Sequence, residues 1–397
     1  MNILILSFYF RPDLSAGSFR ATALVDTLCK LVPPNTQIDV ITTLPNRYHS
    51  FSADAPLLEQ HVGLSISRVA LPKHRGGMLD QSRAFLTYFV ATLRQVAKKD
   101  YDLVFVTSGR LMSTVLGALI SRWKSAKLYL DIRDIFVDTI KDVLPRRFSW
   151  AILPVFSILE RWAINRADKV NLVSQGFAEY FSARYPLKRF SYFTNGIDSE
   201  FLAAAPTHSS IPIDDALNRI LTVVYAGNLG DGQGLHTIMP ALAKAMVARV
   251  RFKIIGDGSR KRLLEDLLME HGVTNVELCL PVKRDELLEA YRSADVLFLH
   301  LNDYAAFKKV LPSKLFEYAA LGKPIWAGVA GYAAQFAIAE INNAAVFYPC
   351  DVPGAMRAFS TLKIQDIPRN AFTAKYARSK INMEMGADIL SVAREVS

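Results

Sequence analysis

Two ionisable side chains stand out in residues 311–331, LPSKLFEYAALGKPIWAGVAG. Lys314 and Glu317 lie three residues apart, so they share one side of a helix. Pro312 and Ser313 open that helix, with Ser313 in the capping position. Leu315, Phe316, Ala319 and Ala320 fall at helical spacing and face a core, and Gly322 suits the left-handed turn that ends the helix. Lys314 then sits in the first turn, where backbone N–H groups are free and a phosphate can bind. Glu317 stands one turn on. An ammonium for an anion and a carboxylate for hydroxyls are what a nucleotide needs. The plain alternative is an ordinary capped surface helix.

A second constellation is DIRDIFVD at 131–138, where Asp131, Asp134 and Asp138 surround Arg133. It follows a buried apolar run, 127–132, and in open α/β sheets ligands bind at the carboxyl ends of strands. A solvated loop with a local Arg–Asp pair is the alternative. A third lies near the start: strand 3–6, then Ser15-Ala16-Gly17-Ser18, then a helix with Ala21, Leu24, Val25, Leu28 and Leu31 on one face. Gly17 lets backbone approach a ligand, and Arg20 sits in the following first turn. The loop lacks G-x-G-x-x-G, so the dinucleotide fingerprint is absent.

The elements that must position these groups follow a βα rhythm. Strands are expected at 37–42, 102–107, 127–132 and 170–174, with helices at 79–98, 111–124, 148–166 and 176–184. Continuous apolar runs, rather than alternation, mark strands buried on both faces. Asn195-Gly196 signals a turn, and 203–216, rich in Ala, Pro and Ser, reads as a linker. The rhythm then restarts: strand 220–226, a loop over 227–234 (GNLGDGQG), helix 235–247, strand 251–255, Gly256-Asp257-Gly258 and a Leu-rich helix. At 397 residues the chain is too long for one core. The expected domains are 1–197 and 198–374, with a helix at about 375–397 packing back on the first. A cleft between two such halves is the default ligand site.

Bulk properties narrow the partners. The chain carries 47 basic and 37 acidic residues, a net charge of +10. Such an excess favours nucleotide phosphates or acidic lipid headgroups. Zinc-finger spacing and RNP-type aromatic motifs are missing, so nucleic acid is not an expected partner. Cys29, Cys279 and Cys350 lie far apart in apolar surroundings and are expected to be buried free thiols. The start, MNILILSFYF, lacks a signal-peptide pattern, and the most apolar window, 148–159, contains Pro154 and is too short to span a bilayer. These features lead to a cytoplasmic protein, at most peripheral to the inner face of the membrane.

YFRPDLSAGSFR, DIRDIFVDT, TNGID, YAGNLGDGQGL, IIGDGSRKRLLEDL and VLPSKLFEYAALGKPIWAG, in this order, resemble family 4 retaining glycosyltransferases across essentially the whole chain. The nearest subgroup makes bacterial surface polysaccharides and includes N-acetyl-fucosamine transferase-like enzymes. The resemblance implies an α/β fold of the GT-B type: two doubly wound Rossmann-like domains facing across an interdomain cleft. It implies a UDP-sugar donor on the second domain and a saccharide acceptor, lipid-linked, on the first. It implies no cofactor and no metal, and no Asp-x-Asp motif occupies a plausible loop. By position, Glu317 binds the ribose hydroxyls, and the turn Pro312-Ser313-Lys314 holds the diphosphate. Gly227 and Asn228 border the phosphates and sugar; Gly256, Asp257, Val282 and Lys283 border the base. Gly17 admits backbone near the diphosphate. Arg133 or Asp134 lies near the transferred sugar or acceptor.

The sequence departs from the family pattern in three places. The first of two expected glutamates falls on Lys309, with Lys308 beside it. The loop at 227–234 has Asn228 and Gln233 in place of an arginine and a lysine. Arg133 replaces a histidine. A nucleotide-sugar epimerase and a non-catalytic nucleotide-sugar-binding subunit are therefore kept as alternatives. The helix at 148–166, with Trp150, Trp162, Arg161 and Arg166, suits contact with an anionic membrane; internal packing is the alternative.

Overall fold

The computed structural model describes residues 1–13, 15–46, 54–72, 78–137, 146–208 and 219–394. They form two compact units, Met1–Asn195 with Ser379–Ser397, and Gly196–Arg378.

The first unit contains β1 (Asn2–Ser7), β2 (Gln37–Thr43), β3 (Leu58–His61), β4 (Leu64–Val69), β5 (Leu103–Ser108), β6 (Lys127–Ile132), β7 (Lys169–Leu172) and β8 (Phe190–Ser191). They form one sheet in the order β3-β4-β2-β1-β5-β6-β7-β8. All pairings are parallel except β3 with β4. Every residue of β5 is buried, the physical reason its run LVFVTS does not alternate. The helices are α1 (Ala16–Leu31), α2 (Met78–Val96), α3 (Leu111–Trp123), α4 (Arg146–Arg166) and α5 (Ala178–Arg184). Ser15 caps α1, its hydroxyl accepting from the Ser18 N–H at 3.1 Å.

The second unit contains β9 (Leu221–Ala226), β10 (Val250–Ile255), β11 (Val276–Cys279), β12 (Val296–His300), β13 (Ile325–Gly328) and β14 (Ala344–Phe347). Its parallel sheet runs β11-β10-β9-β12-β13-β14. Strand order reverses between β9 and β12, the switch point at which such sheets bind ligands. The helices are α6 (Ser199–Ala203), α7 (Leu235–Ala245), α8 (Lys261–Glu270), α9 (Arg284–Arg292), α10 (Lys314–Ala320), α11 (Tyr332–Glu340), α12 (Val352–Phe359) and α13 (Asn370–Tyr376). Trp326 on β13 is fully buried, 4.8 Å from the Phe359 ring, with its indole N–H satisfied by the Ala355 carbonyl at 3.0 Å. The last helix, α14 (Arg378–Arg394), belongs mostly to the first unit, where Met385, Ile389 and Leu390 pack with Ile3, Leu24 and Phe105.

Two sequence expectations change, and some strands go unpredicted. β3, β4, β8 and β14 escape prediction: β3 is a polar edge strand, LEQH, β4 carries Ser65, Ser67 and Arg68, and β8 and β14 are two and four residues long. Cys29 is exposed and Cys279 and Cys350 are half-exposed, so the thiols are free but not buried. Cys29 follows the core-facing Leu28 on α1 and so points away from the core. Ser313 does not cap α10: its own backbone is already helical, at φ −59°, where the side chain makes no capping bond. Of the expected linker, 209–216 lies outside the described residues, as does Asp138.

Candidate functional site

The site in the second unit begins where β9 ends. The Gly227 N–H donates to the Ile255 carbonyl at 2.9 Å, and the Leu229 N–H to the Asp257 carbonyl at 2.9 Å. These bonds lace the loop after β9 to the loop after β10. They bring Gly227, Asn228, Gly256 and Asp257 together, so close that a Cβ on Gly256 would strike the Gly227 carbonyl. Asn228 closes its own loop by donating to Gln233 at 2.8 Å. Asp231, from the same loop, pairs with Arg260 at 2.9 Å and accepts from the Tyr304 hydroxyl at 2.5 Å.

His300, the last residue of β12, locks that loop from behind. It is fully buried, with Nδ1 2.7 Å from the Gln233 carbonyl and Nε2 accepting from the Cys350 N–H at 3.0 Å. Donation to one side and acceptance from the other fix a neutral ring. Burial pushes its pKa down to about 4.

Lys314 is the first residue of α10. Its ammonium lies 5.4 Å from the centre of the Tyr225 ring and fills the space a Gly227 Cβ would take. Gly227 adopts φ +150°, so glycine serves both the backbone turn and the close approach of the lysine. Glu317 stands one turn along α10. Burial raises its carboxyl pKa, while the Arg284 and Lys314 charges pull it back down. The structure thus sets an ammonium and a carboxylate on one short helix, beside the glycine loop at the switch point. Pro312 and Ser313 form the tight turn into α10, their carbonyls accepting from Leu315 and Phe316 at 3.2 and 3.1 Å. Val282 is partly buried against the core, and Lys283 is exposed just before α9.

Sequence reasoning missed the ion pairs behind Glu317. Arg284 pairs with Asp198 and, at 3.2 Å, with Glu200; Arg378 holds the other oxygen of Asp198 at 2.9 Å. The available signal was Asp198 in TNGIDS and Arg284 directly after Lys283. Lys308 is committed elsewhere, to the Tyr348 hydroxyl at 3.0 Å and Asp303 at 3.4 Å.

In the first unit the cluster after β6 divides. Asp131 is buried completely and takes a two-pronged pair from Arg20 at 2.8 and 2.9 Å, with Thr107 at 2.7 Å and Asn171 at 2.8 Å. Burial alone would raise its pKa; the Arg20 charge and these donors hold it below the usual carboxylate value. Arg20 also donates to the Thr194 and Phe193 carbonyls at 2.7 and 2.8 Å. Asp131 and Arg20 are therefore structural, which corrects the expectation of a three-carboxylate ligand cluster. Arg133 and Asp134 remain at the strand's carboxyl end, both partly buried. The Arg133 guanidinium lies over Gly17, where a Cβ would collide with it. Asp134 lines a cavity of about 680 Å³.

Residues 24–196 match the family model of the glycosyl transferase 4-like domain, and residues 217–379 that of the glycosyl transferases group 1. Both units carry glycosyl transferase domains. Over 214 residues the chain is 23% identical to WcaI of Escherichia coli (strain K12), a protein named for colanic acid biosynthesis glycosyl transfer. That match spans about half the length of each, 51% of the chain and 51% of the relative. HepE of Anabaena in complex with UDP-glucose superposes with a TM-score of 0.66 at 18% identity, covering 98% of this chain and 99% of that one. Sucrose-phosphate synthase from Thermosynechococcus elongatus gives 0.68 at 15%, covering 99% and 96%. These likenesses show the fold, which is GT-B. Among the described residues no helix is long and apolar enough to cross a membrane.

Proposed function

We propose that this chain is a retaining glycosyltransferase that moves a sugar from a UDP-sugar to a saccharide acceptor, lipid-linked, in bacterial surface-polysaccharide synthesis. Sugars of the glucose, N-acetylglucosamine or N-acetyl-fucosamine type are the candidate cargo. The observation that carries this reading is the Lys314–Glu317 pair on α10, with the lysine ammonium held against Gly227. A carboxylate accepts both ribose hydroxyls; an ammonium beside a glycine backbone meets the diphosphate.

In the reaction the bond from the sugar's anomeric carbon to the diphosphate oxygen breaks, and a bond to an acceptor hydroxyl oxygen forms as that hydroxyl gives its proton to the departing diphosphate oxygen. The leaving UDP gains negative charge, which Lys314 and the turn at Pro312 and Ser313 offset without a metal. Gly227 and Asn228 border the phosphates and sugar, Gly256, Asp257, Val282 and Lys283 the base, and Gly17 the diphosphate. Arg133 and Asp134 serve the transferred sugar or acceptor. HepE, whose structure holds UDP-glucose, supports the choice of donor, and the colanic acid relative supports the polysaccharide role.

A thermal-shift screen over nucleotide sugars tests the donor, because a ligand that binds only the folded chain raises its apparent stability by mass action. UDP-sugars are expected to raise the melting temperature. A shift with GDP-sugars alone contradicts the choice of UDP. Tight donor binding with neither hydrolysis nor transfer over a broad acceptor panel supports the non-catalytic alternative instead.

A further inference from the structure

β14 is the last strand of the second unit's sheet, and among the described residues no strand pairs with its other side. Its bonds to β13 use the Asn343 and Phe347 carbonyls, which accept from the Ile325 and Val329 N–H groups at 3.1 Å each. Alternation along a parallel pair leaves the peptide groups of Ala344 and Val346 pointing away from β13. Ala333 and Phe336 of α11 pack into the core with α10, whereas Ala355 and Phe359 of α12 pack with α7 and Trp326. The two helices therefore cover opposite faces of the sheet and leave its edge open between them. Two surface hollows, of about 490 and 430 Å³, run along that edge, and both touch Ala344 and Ala345. Ile338 from α11 and Gly354, Arg357 and Ala358 from α12 line the first. Ile338 and Tyr348 are exposed apolar side chains beside it. An open edge with apolar flanks is a template for another strand.

The charges on this edge point to its occupant. Asp351 caps the start of α12 and Arg357 stands near its end; their side chains reach solvent and meet only loosely, at 3.9 Å. We propose that β14 pairs antiparallel with β14 of a second copy of this chain, joining the two six-stranded sheets into one. A two-fold axis at Ala345, perpendicular to the sheet, lets Ala344 of each copy exchange backbone hydrogen bonds with Val346 of the other. The same axis lays the two α12 helices antiparallel. Asp351 of each copy then falls beside Arg357 of the other, and the small Gly354 and Ala358 let the helices approach. On the opposite face the axis brings the two α11 helices, each with its exposed Ile338, to the same side of the joined sheet. A contact between identical copies requires such self-complementarity. A separate extended peptide would gain few backbone bonds from four residues, whereas a second copy adds helix contacts on both faces.

Sedimentation equilibrium of the full chain tests this, with circular dichroism to check that each variant is folded. The native chain is expected to form a dimer. Val346→Pro removes an N–H that points away from β13. Ile338→Lys adds a cation to the flank of the edge in both copies, and Arg357→Glu sets a second carboxylate against Asp351 of the other copy. Each is expected to raise the dimer's dissociation constant at least about tenfold. If Val346→Pro does not fold, the two exposed substitutions decide. A native chain that stays monomeric at about 100 µM overturns the proposal and leaves the edge to a strand of another protein. A native dimer whose dissociation constant is unchanged in folded Ile338→Lys and Arg357→Glu places the interface elsewhere and also overturns it.

Discussion

The two units use charge near the carboxyl ends of their strands in opposite ways. In the first, Arg20 and Asp131 are buried together and tie α1 to β6 and to the chain at 193–194. In the second, Lys314 and Glu317 stay partly buried on α10, beside a loop locked by a neutral His300. A buried pair with every donor matched is a fastening, and removal of one partner leaves an uncompensated charge in the core. A partly buried pair beside glycines keeps room for a ligand's own charges. The same βα arrangement thus yields a fastened half and a half proposed as receptive.

Arg20→Ala should have the largest effect, about 3–5 kcal/mol of lost stability, because Asp131 is then buried without its partner. Chemical denaturation of the variant measures it; a loss below 1 kcal/mol breaks the contrast at its first-unit end. His300 gives the next. Its folded pKa is about 4 against an ordinary value of 6.5. Below pH 6.5 the unfolded chain takes up a proton that the folded chain refuses, so stability falls as pH drops from about 6.5 toward 4, by up to about 3 kcal/mol. His300→Gln should flatten that slope in pH-dependent melting; an equally steep slope shows that other groups cause it.

Lys314→Ala should weaken UDP binding by about 1.5–3 kcal/mol, roughly ten- to a hundredfold, with little change in melting temperature. A large drop in melting temperature with UDP affinity intact would make α10 a fastening like Arg20. The smallest effect is on pH. Burial raises the Glu317 pKa, and ribose hydroxyls require the ionised carboxylate. UDP affinity should therefore fall on acidification at a higher pH than an ordinary glutamate would give, and Glu317→Gln should abolish that dependence.

The receptive half was the more legible in sequence. Lys314 and Glu317 could be found by helical spacing, and their neighbours Gly227 and Gly256 by their place after buried strands. Local pattern carries such features. The fastened half was misread because its decisive bond joins Arg20 to Asp131 across 111 residues, and no local pattern shows which of two arginines near a carboxylate cluster turns inward. The same distance hid Arg284 and Arg378 around Asp198, 86 and 180 residues away. Ser313 misled because a good capping residue type says nothing of the backbone angle the turn from Pro312 imposes. The cavity on the first unit was invisible for a similar reason: Phe85, Met112 and Phe156 lie on three separate helices.

Glu317 is expected to receive a nucleotide's ribose at the switch point of the second unit. Isothermal calorimetry of UDP against the native chain and Glu317→Ala, both checked for equal melting temperature, tests it most directly. The native chain should bind UDP, and the variant at least about tenfold more weakly, the loss of a charge-assisted hydrogen bond. Equal UDP affinity in the two proteins would contradict it.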